Sequence, residues 1–221
     1  MRKVYQVCSK VWKRKKSRQK KNQYGIPIKA KIRADEIFRQ AQQTRRSLKA
    51  EALFNAALAQ DNSKVSRVQL LAVLENNPGH AGAMLQMGTL YSATHQYETA
   101  LQWYHQALRC RPVYPLAHFN IGHTHDELHH ARAAKKHYLL AVSQDETFAD
   151  AYFNLALISE RAQCTMETLK YWNLFLKYAP SDCLSRIAAE TERDRILEKI
   201  IVRKKFQPER TIVIARKKQN I

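Results

Sequence analysis

Glycine, proline and cysteine are all scarce in this sequence of 221 residues, which has five glycines, six prolines and four cysteines. The shortage of glycine and proline disfavours a turn-rich β fold and a phosphate-binding glycine loop, because both need residues with unusual backbone angles. The cysteines lie far apart, at positions 8, 110, 164 and 183, and no C-x-x-C pair occurs. A disulfide framework is therefore not predicted, and we expect reduced thiols in a cytoplasmic protein.

Long apolar runs and catalytic signatures are missing as well. No stretch of 18 apolar residues occurs, and the N-terminus passes from a charged start directly into lysine and arginine, so we expect neither a membrane span nor a secretory signal. The sequence contains no G-x-S-x-G and no H-E-x-x-H motif, and neither Cys110 nor Cys164 has an identifiable base beside it. We therefore expect a protein that is not an enzyme and has no cofactor.

The residues that are abundant favour helices. Hydrophobic residues make up 45% of the chain, enough for a packed core, and Ala, Leu, Gln, Lys and Arg dominate. This composition predicts an all-α fold.

A period of 34 residues runs through the middle of the chain without gaps. It divides this part into four units, 47–80, 81–114, 115–148 and 149–182. In the second unit the recurring positions are Met87, Gly88, Tyr91, Ala100, Tyr104, Ala107 and Pro112. Apolar residues three and four apart give each helix one buried stripe, and a small residue at Gly88, Gly122 or Ala156 lets the paired helix approach closely. The first unit is degenerate, because bulky Phe54 stands at that place.

These positions and their spacing resemble the tetratricopeptide-repeat (TPR) family. The resemblance implies a right-handed helical solenoid of four helix-turn-helix repeats. Before the repeats we predict a basic N-terminal arm over 1–33 and a leading helix over 34–46, and after them a capping helix over 183–207 and a basic tail over 208–221. The apolar face of the capping helix is predicted to contain Leu184, Ile187, Ala188, Ile196, Ile200 and Ile201.

The same resemblance implies a peptide-binding groove on the concave face formed by the first helix of each repeat. Three amides, Gln86, Asn120 and Asn154, would hydrogen-bond a ligand backbone. Leu85, Phe119 and Phe153 would form an apolar floor, and His123, Glu160 and Arg161 would add polar contacts. The alternative is that these residues are ordinary helix surface or packing. The lysines that a chaperone carboxylate clamp needs are absent, so that subclass is not predicted.

A looser resemblance links residues 150–182 to the TPR segments of bacterial regulatory proteins. No helix-turn-helix unit is recognisable before Ser47. A DNA-reading role would therefore rest on the basic arm alone.

Histidine is concentrated in the third unit. His118 and His125 are two turns apart on one helix, and His129, His130 and His137 follow. A metal site is one interpretation. We favour packing instead, because His118 and His125 occupy places where the family has large aromatic residues, and no metal site is predicted.

Positive charge is concentrated at the two ends. Residues 1–46 contain 16 Lys and Arg against 2 acids, 47–182 contain 11 against 12, and 183–221 contain 11 against 5. Such a polycation releases counterions when it binds nucleic acid, and aromatic residues can stack on bases. The predicted contacts with nucleic acid or an acidic partner are Trp12, Lys13, Arg14, Lys15, Lys16, Arg18, Lys20 and Lys21. A basic helix on an anionic surface and a solvated tail are the alternatives, although a membrane is not expected.

Two hypotheses follow for the function. In the first, the protein is an adaptor whose TPR groove binds a protein or peptide while the basic flanks dock on RNA, DNA or an acidic partner. In the second, it is primarily a nucleic-acid-binding protein whose repeats are a spacer or a dimerisation surface.

Overall fold

A computed structural model of the chain describes residues 28–59 and 63–206. Within these residues the regular structure is entirely helical, which confirms the predicted all-α fold. The helices are α1 (Ile28–Leu58), α2 (Ser63–Asn76), α3 (Ala81–Ala93), α4 (Tyr97–Cys110), α5 (Pro115–Glu127), α6 (Ala131–Gln144), α7 (Ala149–Arg161), α8 (Thr165–Tyr178) and α9 (Leu184–Phe206). No described helix is long and apolar enough to cross a membrane.

Helices α3 to α8 form three successive pairs, α3 with α4, α5 with α6 and α7 with α8. The first helices begin at Ala81, Pro115 and Ala149, which are the first residues of three of the predicted 34-residue units. Proline at the start of α5 is favourable, because its fixed φ suits the first helical turn and that position has no helical acceptor for an N–H.

The same tight turn joins the two helices of each pair. His95, His129 and Gln163, spaced 34 residues apart, all have positive φ values of 57–58°. After α3, the His95 amide donates to the Ser92 carbonyl and the Gln96 amide donates to the Tyr91 carbonyl, both at 2.9 Å. This is the Schellman pattern, in which a left-handed residue ends the helix and its last carbonyls find donors.

The small residues predicted to allow close helix approach do so. A Cβ placed on Gly88 would lie 2.6 Å from Cδ1 of Tyr104, and one placed on Gly122 would lie 2.8 Å from Cδ1 of Tyr138. Both tyrosines are buried in the following helix of the pair. A small residue is therefore needed at this place, because the tyrosine ring of the paired helix lies against the space that a Cβ would occupy.

The chain divides into two compact units, 1–78 and 79–221. In the described part of the first unit, α2 packs on α1, and the Ser66 hydroxyl donates to the Ala57 carbonyl at 3.2 Å. The predicted leading helix over 34–46 is not a separate element, because α1 runs from Ile28 to Leu58 without a break. No glycine or proline interrupts the sequence between these residues, so nothing ends the helix at Arg46.

In the second unit, one core cluster joins α3, α4 and α5, and another runs from α6 to α9, which packs on α8 as the predicted capping helix should. The buried face of α9 agrees with the predicted one only in part. Ile196 is buried and Ile200 packs against the core, as predicted, whereas Leu184 is 86% exposed and Ile187 is 67% exposed. Ala189, which was not predicted, is fully buried. Apolar residues occur on more than one face of α9, so their spacing alone does not fix the buried side.

A candidate binding groove on the first helices

An open cavity of about 430 Å³ lies between α3, the start of α4, and α5. Helices α3 and α5 are the first helices of two consecutive pairs, so the cavity is on the face where a groove was expected. Three of the predicted groove residues, Phe119, Asn120 and His123, line it. The other residues in its wall are Thr89, Ser92, Ala93, His95, Tyr97, Tyr104 and Glu127.

The Asn120 amide is the main hydrogen-bonding group of the cavity. Its Nδ2 lies 3.5 Å from Oγ1 of Thr89, at the long limit of a hydrogen bond. The Thr89 hydroxyl donates at 3.1 Å to the Leu85 carbonyl in its own helix. Because the amide both donates and accepts and its contact within the protein is weak, Asn120 can pair with a polypeptide backbone.

A short polar chain forms one rim of the cavity. The Tyr97 hydroxyl donates to Oε2 of Glu127 at 3.3 Å, and Nδ1 of His95 lies 2.8 Å from the same hydroxyl. Since the hydroxyl has only one proton, His95 acts as the donor to Tyr97 when Tyr97 donates to Glu127. Partial burial and the nearby Glu127 carboxylate raise the pKa of Tyr97, which keeps the phenol neutral.

The apolar floor expected from the sequence is mostly core. Leu85 is only 2% exposed and packs in a cluster with Tyr104 and Ile121, so it is not open to a ligand. Phe119 is half-buried, with its ring centroid 5.6 Å from that of Tyr138, and only part of it faces the cavity. Half-buried Phe153 packs against Trp172 and Phe175 at centroid distances of 5.3 and 5.2 Å. The main role of these side chains is therefore packing between helices rather than contact with a ligand.

The three predicted amides lie on equivalent places of α3, α5 and α7, and all are half-buried. Asn154 lies close enough to the Tyr138 hydroxyl to affect its pKa, although the hydroxyl forms no well-shaped hydrogen bond within the described residues. Gln86 lies outside the cavity wall. The structure thus brings Asn120, but not Gln86 or Asn154, to the cavity.

Glu160 and Arg161 already have partners in neighbouring helices. Nη2 of Arg161 contacts both carboxylate oxygens of Asp126 at 2.7 and 2.8 Å, and Glu160 pairs with Nη2 of Arg195 at 2.8 Å. These ion pairs join α5 to α7 and α7 to α9. The two residues of each ion pair are 35 positions apart, close to one repeat of 34. Opposite charges about one repeat apart are therefore a sequence signal for such ion pairs, and these pairs were not predicted.

Four histidines of the third unit, His118, His125, His130 and His137, gather into one cluster with His105 of α4. Nδ1 of His118 lies 3.3 Å from Nδ1 of His137, and the His125 ring stacks on the His137 ring with centroids 5.8 Å apart. His105 and His130 contact the edges of this stack. Among the described residues, no group of three or more His, Cys, Asp or Glu side chains is arranged to hold a metal ion.

Burial is the main influence on the charge of this cluster. It lowers the pKa of His118 and of His125, and it lowers the pKa of His137 to about 4, with further contributions from the neighbouring histidines. The imidazoles of His118, His125 and His137 are therefore neutral at pH 7, and the close contact between His118 and His137 needs one ring as donor and the other as acceptor.

The predicted nucleic-acid contacts from Trp12 to Lys21 lie outside the described residues. In the described part of the first unit, a cavity of about 430 Å³ lies between α1 and the end of α2. Two arginines, Arg39 and Arg46, line it together with amide and hydroxyl side chains, and its lining includes no carboxylate. Sequence reasoning did not single out this site, because its residues come from two helices.

Comparison with protein families identifies the repeat. A family model described as "TPR repeat" matches residues 88–128, and one described as "Tetratricopeptide repeat" matches residues 70–102. Residues 70–128 of this chain therefore contain tetratricopeptide repeats. TPR arrays are typically protein-interaction scaffolds and typically not catalytic. No curated protein sequence matches the chain.

Solved structures agree with the TPR fold. The MamA RS-1 ArsTM double mutant aligns with a TM-score of 0.58 and 14% identity, covering 79% of this chain and 96% of that one. The crystal structure of MamA protein aligns with a TM-score of 0.55 and 12% identity, covering 76% and 95% of the two chains. At these identities the likeness extends to the fold, which confirms the predicted TPR solenoid.

Proposed function

We propose that this TPR protein is an adaptor that binds an extended polypeptide segment along the first helices α3, α5 and α7. The observation that supports this function most strongly is the open cavity beside Asn120. An amide with only a long internal contact, next to partly exposed aromatic surface, suits a peptide main chain and one of its side chains.

A selection from displayed random peptides, with the full chain as bait, tests this function. The affinity of a selected peptide is then measured by fluorescence anisotropy for the wild type and for the variant with Asn120→Ala and Asn154→Ala. We expect a loss of about tenfold, because two amide hydrogen bonds to a backbone contribute about 1–3 kcal/mol together.

A matched control replaces two exposed amides on the second helix α4, Gln102→Ala with Gln106→Ala. We expect this variant to bind the peptide like the wild type. Equal affinities of the two double variants, with both folded by circular dichroism, would contradict binding along the first helices.

Docking of the basic flanks on nucleic acid is the second part of the proposal. Residues 1–46 have 16 basic and 2 acidic side chains, and two of the basic ones, Arg39 and Arg46, line a cavity on α1. Both features suit phosphate groups, which arginine binds through charge and hydrogen bonds. If this contact dominates, the protein is primarily a nucleic-acid-binding protein and the repeats are a spacer or a dimerisation surface.

Binding to labelled single-stranded RNA and duplex DNA across a salt series tests this part. We expect the full chain to bind with a steep salt dependence, and a chain that begins at Ile28 to lose most of the affinity. The variant Arg39→Gln with Arg46→Gln should weaken binding further than a control with Arg109→Gln and Arg132→Gln, which neutralises two exposed arginines elsewhere. Absence of binding by the full chain at low salt would exclude this role.

A further inference from the structure

The carboxylate of Glu127 differs from the other acids at the ends of the first helices. Asp126 is neutralised by Arg161, and Glu160 is neutralised by Arg195. Among the described residues, Glu127 contacts no lysine or arginine; its partners are the Tyr97 hydroxyl at 3.3 Å and Nε2 of His123 at 3.9 Å. The contact with His123 is long for an ion pair and largely exposed, so it compensates the Glu127 carboxylate only weakly.

The surroundings of Glu127 are suited to a cation with an apolar stem. The wall of the cavity beside it includes two half-buried aromatic side chains, Tyr97 and Phe119. Helix α3, which forms the opposite side, has no charged residue from Ala81 to Ala93. Aromatic faces attract cations and also pack against methylene groups, while a carboxylate at the rim fixes the charged end.

The same geometry disfavours an anion. A carboxylate or phosphate in this cavity would lie near Glu127 with no lysine or arginine in the cavity wall to compensate it. A phenol that already donates to Glu127 has no second proton to offer. The charge of the site therefore selects for a positively charged group.

We propose that the cavity beside Glu127 is a subsite for one lysine or arginine side chain of the polypeptide segment that the groove binds. In this arrangement Asn120 pairs with the segment's backbone, and the cationic side chain passes over the aromatic wall to the Glu127 carboxylate. The subsite rests on the proposed groove function and specifies which side chain the groove reads at this place.

Titration of the ¹⁵N-labelled full chain with small amides tests the subsite directly by NMR. The probes are N-acetyl-arginine amide and N-acetyl-lysine amide, with N-acetyl-norleucine amide as the uncharged control of similar length. We expect saturable shifts at the backbone amides of Thr89, Asn120 and Glu127 with the cationic probes and only weak shifts with norleucine. The relative affinities of the first two probes distinguish arginine from lysine.

Glu127→Gln is the decisive variant, because its amide oxygen can still accept the hydrogen bond from Tyr97 while the charge is removed. We expect a loss of about fivefold in affinity for the cationic probes, as for a partly exposed ion pair. Glu98→Gln, which removes an exposed acid close to Tyr97 but outside the cavity wall, should leave the affinity unchanged.

Equal affinity of Glu127→Gln and the wild type, or equal shifts with norleucine and the cationic amides, would overturn the subsite. The outcome is separable from that of the groove itself. Selected peptides that bind through Asn120 and Asn154 but are insensitive to Glu127→Gln would leave the adaptor function and remove the subsite. If the cationic amides bind at Glu127 but no peptide binds the first helices, the subsite is supported and the adaptor function is contradicted.

Discussion

Acidification is expected to destabilise the second unit through the histidine cluster, and His137 is the residue that tests this most sharply. Its imidazole is surrounded by His118 and His125 from α5, by His105 from α4 and by Lys136 in its own helix. Burial and these neighbours lower its pKa from 6.5 to about 4. The unfolded chain therefore binds a proton at this side chain more readily than the folded chain does.

The sign and the size of the effect follow from this difference. The contribution of neutral His137 to the free energy of unfolding is fully present above about pH 6.5 and is lost as the pH drops towards about 4. Below that pH, this group causes no further loss. A fully shielded imidazole with this pKa would contribute about 3 kcal/mol, since each pKa unit corresponds to about 1.4 kcal/mol. His137 is only half-buried, so solvent screening reduces our expectation to about 1–2 kcal/mol.

Urea denaturation from pH 7.5 to pH 4, compared between the wild type and His137→Tyr, measures this contribution. Tyrosine is the natural replacement, because Tyr171 occupies the equivalent place in the next repeat and is buried there. We expect the wild type to lose about 1–2 kcal/mol more than His137→Tyr between pH 6.5 and 4. His123→Asn, at an exposed histidine, should retain the wild-type pH dependence. Parallel curves for the wild type and His137→Tyr, or NMR titration of His137 near pH 6.5, would refute the reasoning.

Three further predictions concern the stability of the repeats, measured by urea denaturation at pH 7.5. Gly122→Ala should lower the free energy of unfolding by about 1–2 kcal/mol, because the new Cβ would overlap the Tyr138 ring and the cost of this overlap exceeds the gain in helix propensity. An increase in the free energy of unfolding would contradict the tight contact. His129→Gly should raise it by up to about 1 kcal/mol, because glycine relieves the positive φ in the turn. A loss of more than about 1 kcal/mol would show that the His129 side chain itself stabilises the turn. Asp126→Asn should lower it by less than about 1 kcal/mol, because the Arg161 side chain that it pairs with is largely exposed. A larger loss would mean that this ion pair is essential to the stacking of α5 and α7.

The repeats could be predicted from the sequence because their determinants are local. A small residue opposite a large aromatic residue, as at Gly88 and Tyr104, needs both residues at fixed spacing within one helix pair. Apolar residues three and four apart then define the buried stripes. This is why the first residues of α3, α5 and α7 coincide with the predicted unit boundaries.

The features that the sequence did not reveal depend on contacts between elements. The apolar residues of α9 lie on more than one face, and only its packing on α8 buries Ala189 and leaves the predicted Leu184 and Ile187 exposed. The choice of this buried side is made by tertiary packing, which local spacing does not encode. The length of α1 is a different case, because the absence of a helix-ending residue between Ile28 and Leu58 is a local signal that could have been read from the sequence.

The candidate site, like the fold, was predicted only in part. Asn120 was recognised because the repeat pattern marks its position. The rim formed by Tyr97 and Glu127 was missed, because it joins the start of α4 to the end of α5 across 30 residues. Leu85 was assigned to the groove by its place in the repeat, but its burial depends on Tyr104 and on Ile121 of the next pair.

The proposed binding of a polypeptide segment by the first helices is tested most directly by a map of backbone amide NMR shifts on the ¹⁵N-labelled full chain, at saturation with a peptide from the display selection. We expect the largest shifts in Ala81–Ala93, Pro115–Glu127 and Ala149–Arg161, with Asn120 and Glu127 among them. Shifts confined to the second helices, or to α9, would contradict it.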